Sequence, residues 1–212
     1  MNVLYIKHEL HYLMNKILGV NNSTRNQLEE WLSKIDIKDG RVLDVGVGFS
    51  PVKRRLRNFK PDDYKTLDNN SENEIKPDFV LDLNDLESKT TMKKIMDYRP
   101  TTIFCLEVME YVYKPFDTLR FFNKSLSKNG VLYISFHTFY PWHKPYKNDY
   151  MRYTKAGVIK LLEEAGFAKW EIKARTTTSG GKNLLNFFKK EGLIGFRDKI
   201  NLDMGYLVKA YK

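Results

Sequence analysis

Cysteine is nearly absent from this 212-residue sequence, so no internal disulfide is available. Its one cysteine, Cys105, sits in the apolar run Ile103-Phe-Cys-Leu106 and reads as a small core residue. No run of 18 apolar residues exists, which excludes a membrane-crossing helix. The N-terminus also lacks the basic-then-apolar pattern of a secretion signal, so a soluble cytoplasmic protein is expected. Metal-ligand spacing is missing too. His8 and His11 lie three apart, but no Cys, Asp or third His joins them, so they read as surface side chains and no metal is expected.

What is present suits one α/β domain, with 42% hydrophobic residues over a length that supports a sizeable core. The net charge of +10 is unevenly placed. Residues 1–140 carry 21 Lys and Arg against 19 Asp and Glu, whereas residues 141–212 carry 15 against 7. A basic C-terminal third either attracts an anionic partner, such as nucleic acid, or only keeps the protein in solution.

The chain is organised around Arg41-Val-Leu-Asp-Val-Gly-Val-Gly-Phe-Ser50. Val42, Leu43 and Val45 predict a buried strand, Gly46 and Gly48 a tight turn, and Ser50-Pro51 the cap and first position of a helix. The glycines let backbone N–H groups approach a ligand at the carboxyl end of a parallel strand. A dinucleotide fingerprint needs a third small residue where Pro51 stands, and a phosphate loop needs Gly-Lys-Ser/Thr, which does not follow. Asp44 would repel a phosphate but suits an amine or a sulfonium, the two cations of S-adenosylmethionine.

Later strands repeat the theme of an acid at the carboxyl end. Tyr64-Lys-Thr-Leu-Asp68 ends on Asp68, placed 24 residues after Asp44, near the spacing of a ribose-binding acid. Asp78-Phe-Val-Leu81 runs into Asp82-Leu83, where Asp82 either accepts from an adenine amino group, with Leu83 against the ring, or caps the helix expected from about Asp85 to Asp97. Thr102-Ile-Phe-Cys-Leu106 leads to Glu107. The run Lys53-Arg54-Arg55-Leu56-Arg57 reads as a phosphate-binding stretch or as a solvated helix face.

On these residues the chain resembles the class I S-adenosylmethionine-dependent methyltransferases, in the branch called methyltransferase type 11. Val42-Leu-Asp-Val-Gly-Val-Gly48 matches the glycine motif, Asp68 the ribose acid, Asp82-Leu83 the adenine pair, and Leu106-Glu-Val-Met-Glu-Tyr-Val112 the branch's L-E-x-L-E-H-V. Tyr111 stands where the branch has His, and Ser50 where a third Gly is common. The resemblance covers roughly residues 25–175 and implies a Rossmann-like, doubly wound, seven-stranded sheet, mostly parallel with an antiparallel last strand. It implies S-adenosylmethionine as cofactor, held by Asp44, Gly46, Gly48, Asp68, Asp82, Leu83 and Glu107.

The fifth strand, Val131 to Phe136, opens into the aromatic loop 137–154, which resembles the H-x-x-P-x-D-Y-W-R-Y/F-T segment of a subset of these enzymes, with Met151 in place of Trp. Tyr140, Trp142, Asp149, Arg152 and Tyr153 are the expected substrate-binding residues, and His143 and His137 the expected catalytic ones. The alternative is that Asp149, Arg152 and Tyr153 staple the loop to the sheet. Within a single domain, 1–38 is expected to form N-terminal helices, one over 3–18 and one opening at Ser23-Thr24. The cofactor core then spans 39–175, an insertion or lid 176–204 with a helix over Asn183 to Lys190, and the last strand 205–212. The expected activity is methyl transfer to a small-molecule or sugar acceptor at oxygen or nitrogen. The alternatives are an RNA or DNA methyltransferase, against which the Asp/Asn-Pro-Pro-Tyr signature is missing after the fourth strand, and a non-catalytic cofactor-binding partner protein.

Overall fold

A computed structural model describes residues 24–48, 50–69, 76–140, 146–176, 186–187, 189–192 and 203–212. In chain order it runs α1 (Thr24–Leu32), β1 (Asp36–Ile37), β2 (Arg41–Val45), β3 (Asn58–Phe59), β4 (Asp63–Asp68), β5 (Phe79–Val80), α2 (Lys89–Tyr98), β6 (Thr102–Cys105), α3 (Pro115–Ser125), β7 (Val131–His137), α4 (Lys155–Glu164), β8 (Lys169–Thr176) and β9 (Asp203–Tyr211). The main sheet has seven strands in the order β5-β4-β2-β6-β7-β9-β8. All neighbouring pairs are parallel except those made by β9, which runs against both β7 and β8. The strand order reverses between β2 and β6, the place where open α/β sheets bind ligands.

Strand alternation divides the core. On β2, Leu43 and Val45 join the cluster holding Ile95 of α2, Leu119 and Phe122 of α3, and Val158 and Leu162 of α4. Val42 faces the other way, into the cluster with Leu28 and Leu32 of α1, Phe104, Tyr133 and Leu207. Cys105 is a fully buried free thiol of the first cluster. Thr154 caps α4 by accepting from Gly157 N, and Gly166, at φ 89°, ends it.

Two local expectations change, and one strand pair is unexpected. After Pro51 there is no α-helix but one 3-10 turn, Val52–Arg54, because the Asp44 carboxylate captures Val52 N at 2.7 Å and the chain then enters β3. β3 pairs in parallel with β1, a two-residue contact too short to show in a hydrophobic pattern. The helix expected from about Asp85 begins only at Lys89, after turns that Asp82 starts by accepting from Asn84 N. The helix expected over 3–18 lies outside the described residues, as does most of 176–204.

β9 carries a glycine where it meets β7. Gly205 pairs with His137, and a Cβ there would lie 2.3 Å from Phe136 O, a backbone atom that cannot swing away. Gly205→Ala is therefore expected to lower unfolding free energy by roughly 1–3 kcal/mol. Urea denaturation checks this, and an unchanged midpoint would show that the two strands separate freely at this point.

Candidate functional site

The glycine turn after β2 is built by conformation and by space. Gly46 adopts φ 70° and donates to Leu67 O at 2.8 Å, and a Cβ there would strike Val108 Cγ2 at 2.2 Å. Gly48 adopts φ 43°, and among the described residues other than its chain neighbours nothing comes nearer than 3.9 Å to the place of its missing Cβ, so those residues leave the turn open above it. Both positions therefore need glycine, one for packing and one for backbone shape.

Asp44 lies behind this turn. Its Oδ2 accepts from Val52 N and from Tyr64 Oη, each at 2.7 Å. Burial pushes the carboxyl up to about 6, against the pull of those two hydrogen bonds. The residue expected to meet a cation thus uses its Oδ2 to hold the turn after Pro51 and Tyr64 of β4. Asp68, at the end of β4, accepts from Gly48 N at 3.2 Å, so strand-end acid and glycine turn meet at the switch point. Asp82 is exposed, while the Leu83 side chain is buried in the core with Leu81 and Val112.

At the ends of β6 and β7 the structure gathers two acids and two bases. Glu107 follows β6 with φ 58°, a left-handed conformation costly for a residue with a side chain, by about 1–3 kcal/mol. Ser135 of β7 holds it there by accepting from Glu107 N at 2.7 Å and donating to Glu107 Oε1 at 2.8 Å. Arg175 of β8 donates to Oε1 at 2.7 Å and to Oε2 at 3.4 Å. His137 Nε2 sits 3.3 Å from Glu107 Oε2 and 3.3 Å from Glu110 Oε1. One N–H cannot point at both oxygens, and these are ion-pair separations rather than aligned hydrogen bonds. Among the described residues, neither Glu110 carboxylate oxygen nor His137 Nδ1 has a hydrogen-bond partner.

Charge assignments follow from the surroundings. Burial raises the Glu107 carboxyl, but His137 and Arg175 together hold it well below the usual carboxylate range. Burial likewise lowers the His137 imidazole, but Glu107 and Glu110 outweigh it and push its pKa up to about 9. His137 therefore keeps its proton through neutral pH. That corrects its expected role, because a general base must give its proton up at the working pH.

The aromatic loop is fastened both to itself and to the turn after β6, where Tyr150 N and Met151 N donate to Glu110 O at 2.8 and 3.0 Å. Asp149 and Arg152 form a two-pronged ion pair with Nη2–Oδ2 at 2.7 Å, and Arg152 Nε donates to Tyr140 O at 3.3 Å. Tyr153 is buried and donates from its hydroxyl to Met109 O at 2.8 Å. Tyr140 stacks on His137 at a centroid distance of 4.3 Å. Asp149 and Arg152 thus pair within the loop, while Tyr153 ties it to the turn after β6. Trp142 and His143 lie outside the described residues. Sequence reasoning missed Arg175, whose charged neighbours Lys173 and Glu171 mark a solvent face, and the exposed pair Tyr113 and Tyr150, edge to face at 5.3 Å.

A folded-state pKa raised above the free-imidazole value means that folding holds the His137 proton. The stabilisation is full below about pH 6.5 and is lost as pH rises through about 9. The melting temperature is expected to fall across that window in the wild type and much less in His137→Gln. A wild-type melting temperature flat from pH 6.5 to 9.5 would contradict the buried imidazolium.

No protein-family model matches the chain, and no curated protein matches its sequence. Solved structures do match. An S-adenosylmethionine-dependent methyltransferase from Mesorhizobium loti is similar over 91% of this chain and 99% of its own, at 14% identity and a TM-score of 0.57. A chain of the complex between a Haloferax volcanii methyltransferase activator and a methyltransferase is similar over 93% of each chain, at 15% identity and a TM-score of 0.61. The Burkholderia thailandensis 1,6-didemethyltoxoflavin-N1-methyltransferase, solved with 1,6-didemethyltoxoflavin and S-adenosylhomocysteine bound, is similar over 99% of this chain and 87% of its own, at 13% identity and a TM-score of 0.54. At such identities the likeness is one of architecture, and it agrees with the strand order and the open glycine turn: this chain has the fold of the class I S-adenosylmethionine-dependent methyltransferases.

Proposed function

We propose that this chain transfers the methyl group of S-adenosylmethionine to a small-molecule or sugar acceptor, at oxygen or nitrogen. One observation carries the reading: an open glycine turn and the strand-end acid Asp68 meet at the switch point of the sheet, joined by the Gly48 N–H. In this reading Asp68 accepts from the ribose hydroxyls, Asp82 and the backbone of Leu83 line the adenine corner, and Gly46 and Gly48 let the cofactor come close to the backbone. Asp44 acts from behind by holding Val52 and Tyr64, and Glu107 lies beside the cofactor's cationic end.

S-adenosylmethionine supplies a methyl group made electrophilic by its sulfonium. The chain's part is to exclude water and hold the acceptor in line, an arrangement that contributes roughly 7–11 kcal/mol. Exposed Tyr113 and Tyr150, with exposed Phe139 and Tyr146, offer flat faces for a ring-shaped acceptor, which supports the small-molecule reading. In this reading residues 39–175 hold the cofactor core, and the expected insertion or lid over 176–204 lies largely outside the described residues. His143 is the proposed base for a hydroxyl acceptor.

Calorimetry on Asp68→Ala is expected to show S-adenosylmethionine affinity falling at least about tenfold with the fold intact, since a charge-assisted ribose contact contributes roughly 1.5–3 kcal/mol. Unchanged affinity removes Asp68 from the site. A methyl-transfer screen with labelled cofactor over sugars, small metabolites and RNA tests the acceptor class, and selective labelling of structured RNA would overturn the small-molecule reading. With the acceptor in hand, His143→Ala is expected to lower turnover by roughly 100- to 10,000-fold while cofactor affinity stays the same. Wild-type turnover would exclude His143 as the base.

A further inference from the structure

On the methyl-transfer reading above, we infer that Arg175 is a positioning residue for Glu107: its buried guanidinium fixes that carboxylate, as an anion, at the cofactor's cationic end. Arg175 is 1% exposed and lies on β8 in register with Gly205 of β9, which itself pairs with His137 of β7. The three positions share one row on the α1 face of the sheet. The middle one carries no side chain, so nothing from β9 stands between the guanidinium and the end of β6.

The contacts made across that row are directional. Nη1 and Nη2 grip the two Glu107 oxygens, and Nε donates to Thr24 O at 3.2 Å. A planar fork of this kind sets orientation as well as charge. Gln27 reinforces the join, accepting from Thr176 N at 2.9 Å and donating to Thr176 O. The first turn of α1, the end of β8 and the left-handed Glu107 are therefore one hydrogen-bonded unit. About a fifth of the Glu107 side chain stays exposed, whereas Arg175, His137 and Glu110 are enclosed.

Every element packed against Glu107 contributes a group that sets its charge. These are Arg175 from β8, His137 and Ser135 from β7, Glu110 from the 3-10 turn Met109–Tyr111, and Arg25 from α1. Two carboxyl groups face two buried cations. Removal of Arg175 alone leaves an excess negative charge that the cluster relieves by taking up a proton, titrating as a unit. Arg175→Lys keeps the charge but loses the fork and the bond to Thr24.

The test is S-adenosylmethionine affinity by calorimetry between about pH 5.5 and 8, for wild type, Arg175→Lys, Arg175→Met and the double variant Arg175→Met/Glu107→Gln. Each variant's profile is read as a ratio to wild type at the same pH, which cancels the titration of Asp44 near pH 6 and of the cofactor's own amine. Arg175→Met is expected to bind about tenfold more weakly at the acid end than at pH 8. Arg175→Lys is expected to bind several-fold more weakly than wild type at every pH, with a flat profile, and the double variant to be weak and flat. A wild-type pH profile in Arg175→Met, or full wild-type affinity in Arg175→Lys, overturns the inference, since a residue that only fills space would give one or the other. If Arg175→Met does not fold, the lysine variant decides. A wild-type chain that does not bind S-adenosylmethionine at any pH would instead overturn the cofactor reading.

Discussion

Buried charges must find partners, and the corner where β6 and β7 end is governed by that requirement. Each ion removed from water costs several kcal/mol unless it is paired and hydrogen-bonded. Glu107, Glu110, His137 and Arg175 meet the requirement only together, because they come from β6, the turn after it, β7 and β8. Their pairing holds β8 and its hairpin partner β9 in place, bends the backbone at Glu107 into the left-handed region, and draws the start of α1 down through Thr24. A cluster of this kind adds little net stability over an apolar equivalent, but the loss of one member leaves the others uncompensated. Its value here is position: a carboxylate stands in a single orientation at the mouth of the sheet.

The second shaping constraint is the carboxylate behind the glycine turn. A nucleotide site that grips a pyrophosphate uses the N-terminus of a full helix, with its free N–H groups and dipole. Here Asp44 takes the Val52 N–H, and only a three-residue 3-10 turn follows. Arg55, from the basic run after Pro51, turns to Glu29 of α1 at 2.8 Å rather than toward the turn. An acid behind the turn and the lack of a helix start both disfavour a phosphate and leave the site suited to a ligand with cationic groups. Physical chemistry alone thus separates this turn from a dinucleotide site of the same outline.

Much of the architecture was legible because it rests on short-range rules. Short apolar runs marked β2, β6 and β7, acids at strand ends singled out β2, β4 and β6, and the cap at Thr154 marked α4. The β1–β3 pair was not legible, since two residues carry no period. The loop 137–154 drew attention through its composition, which does not say which polar side chains face a ligand. Asp149 and Arg152 satisfy one another three residues apart, a local pairing that competes with any substrate contact. His137 looked like a base because histidine titrates near neutral pH, and two carboxylates from elsewhere in the chain changed that.

The sequence by itself determined where most strands and helices lie, the place of the glycine turn and the string of acids at strand ends, because each depends on residues adjacent in the chain. Tertiary structure alone decided what those acids do. Asp44 and Asp68 both flank the glycine turn, yet one turns behind it to Val52 and Tyr64 and the other meets Gly48. Arg175 shares its strand face with solvent-exposed Glu171 and Lys173, yet it is enclosed by groups distant in the chain, Glu107 after β6 and the start of α1, 151 residues earlier. The physical reason is range. Backbone propensity and alternation act over a few residues, whereas the charge state and direction of a buried side chain are set by whichever groups the fold brings within hydrogen-bonding distance.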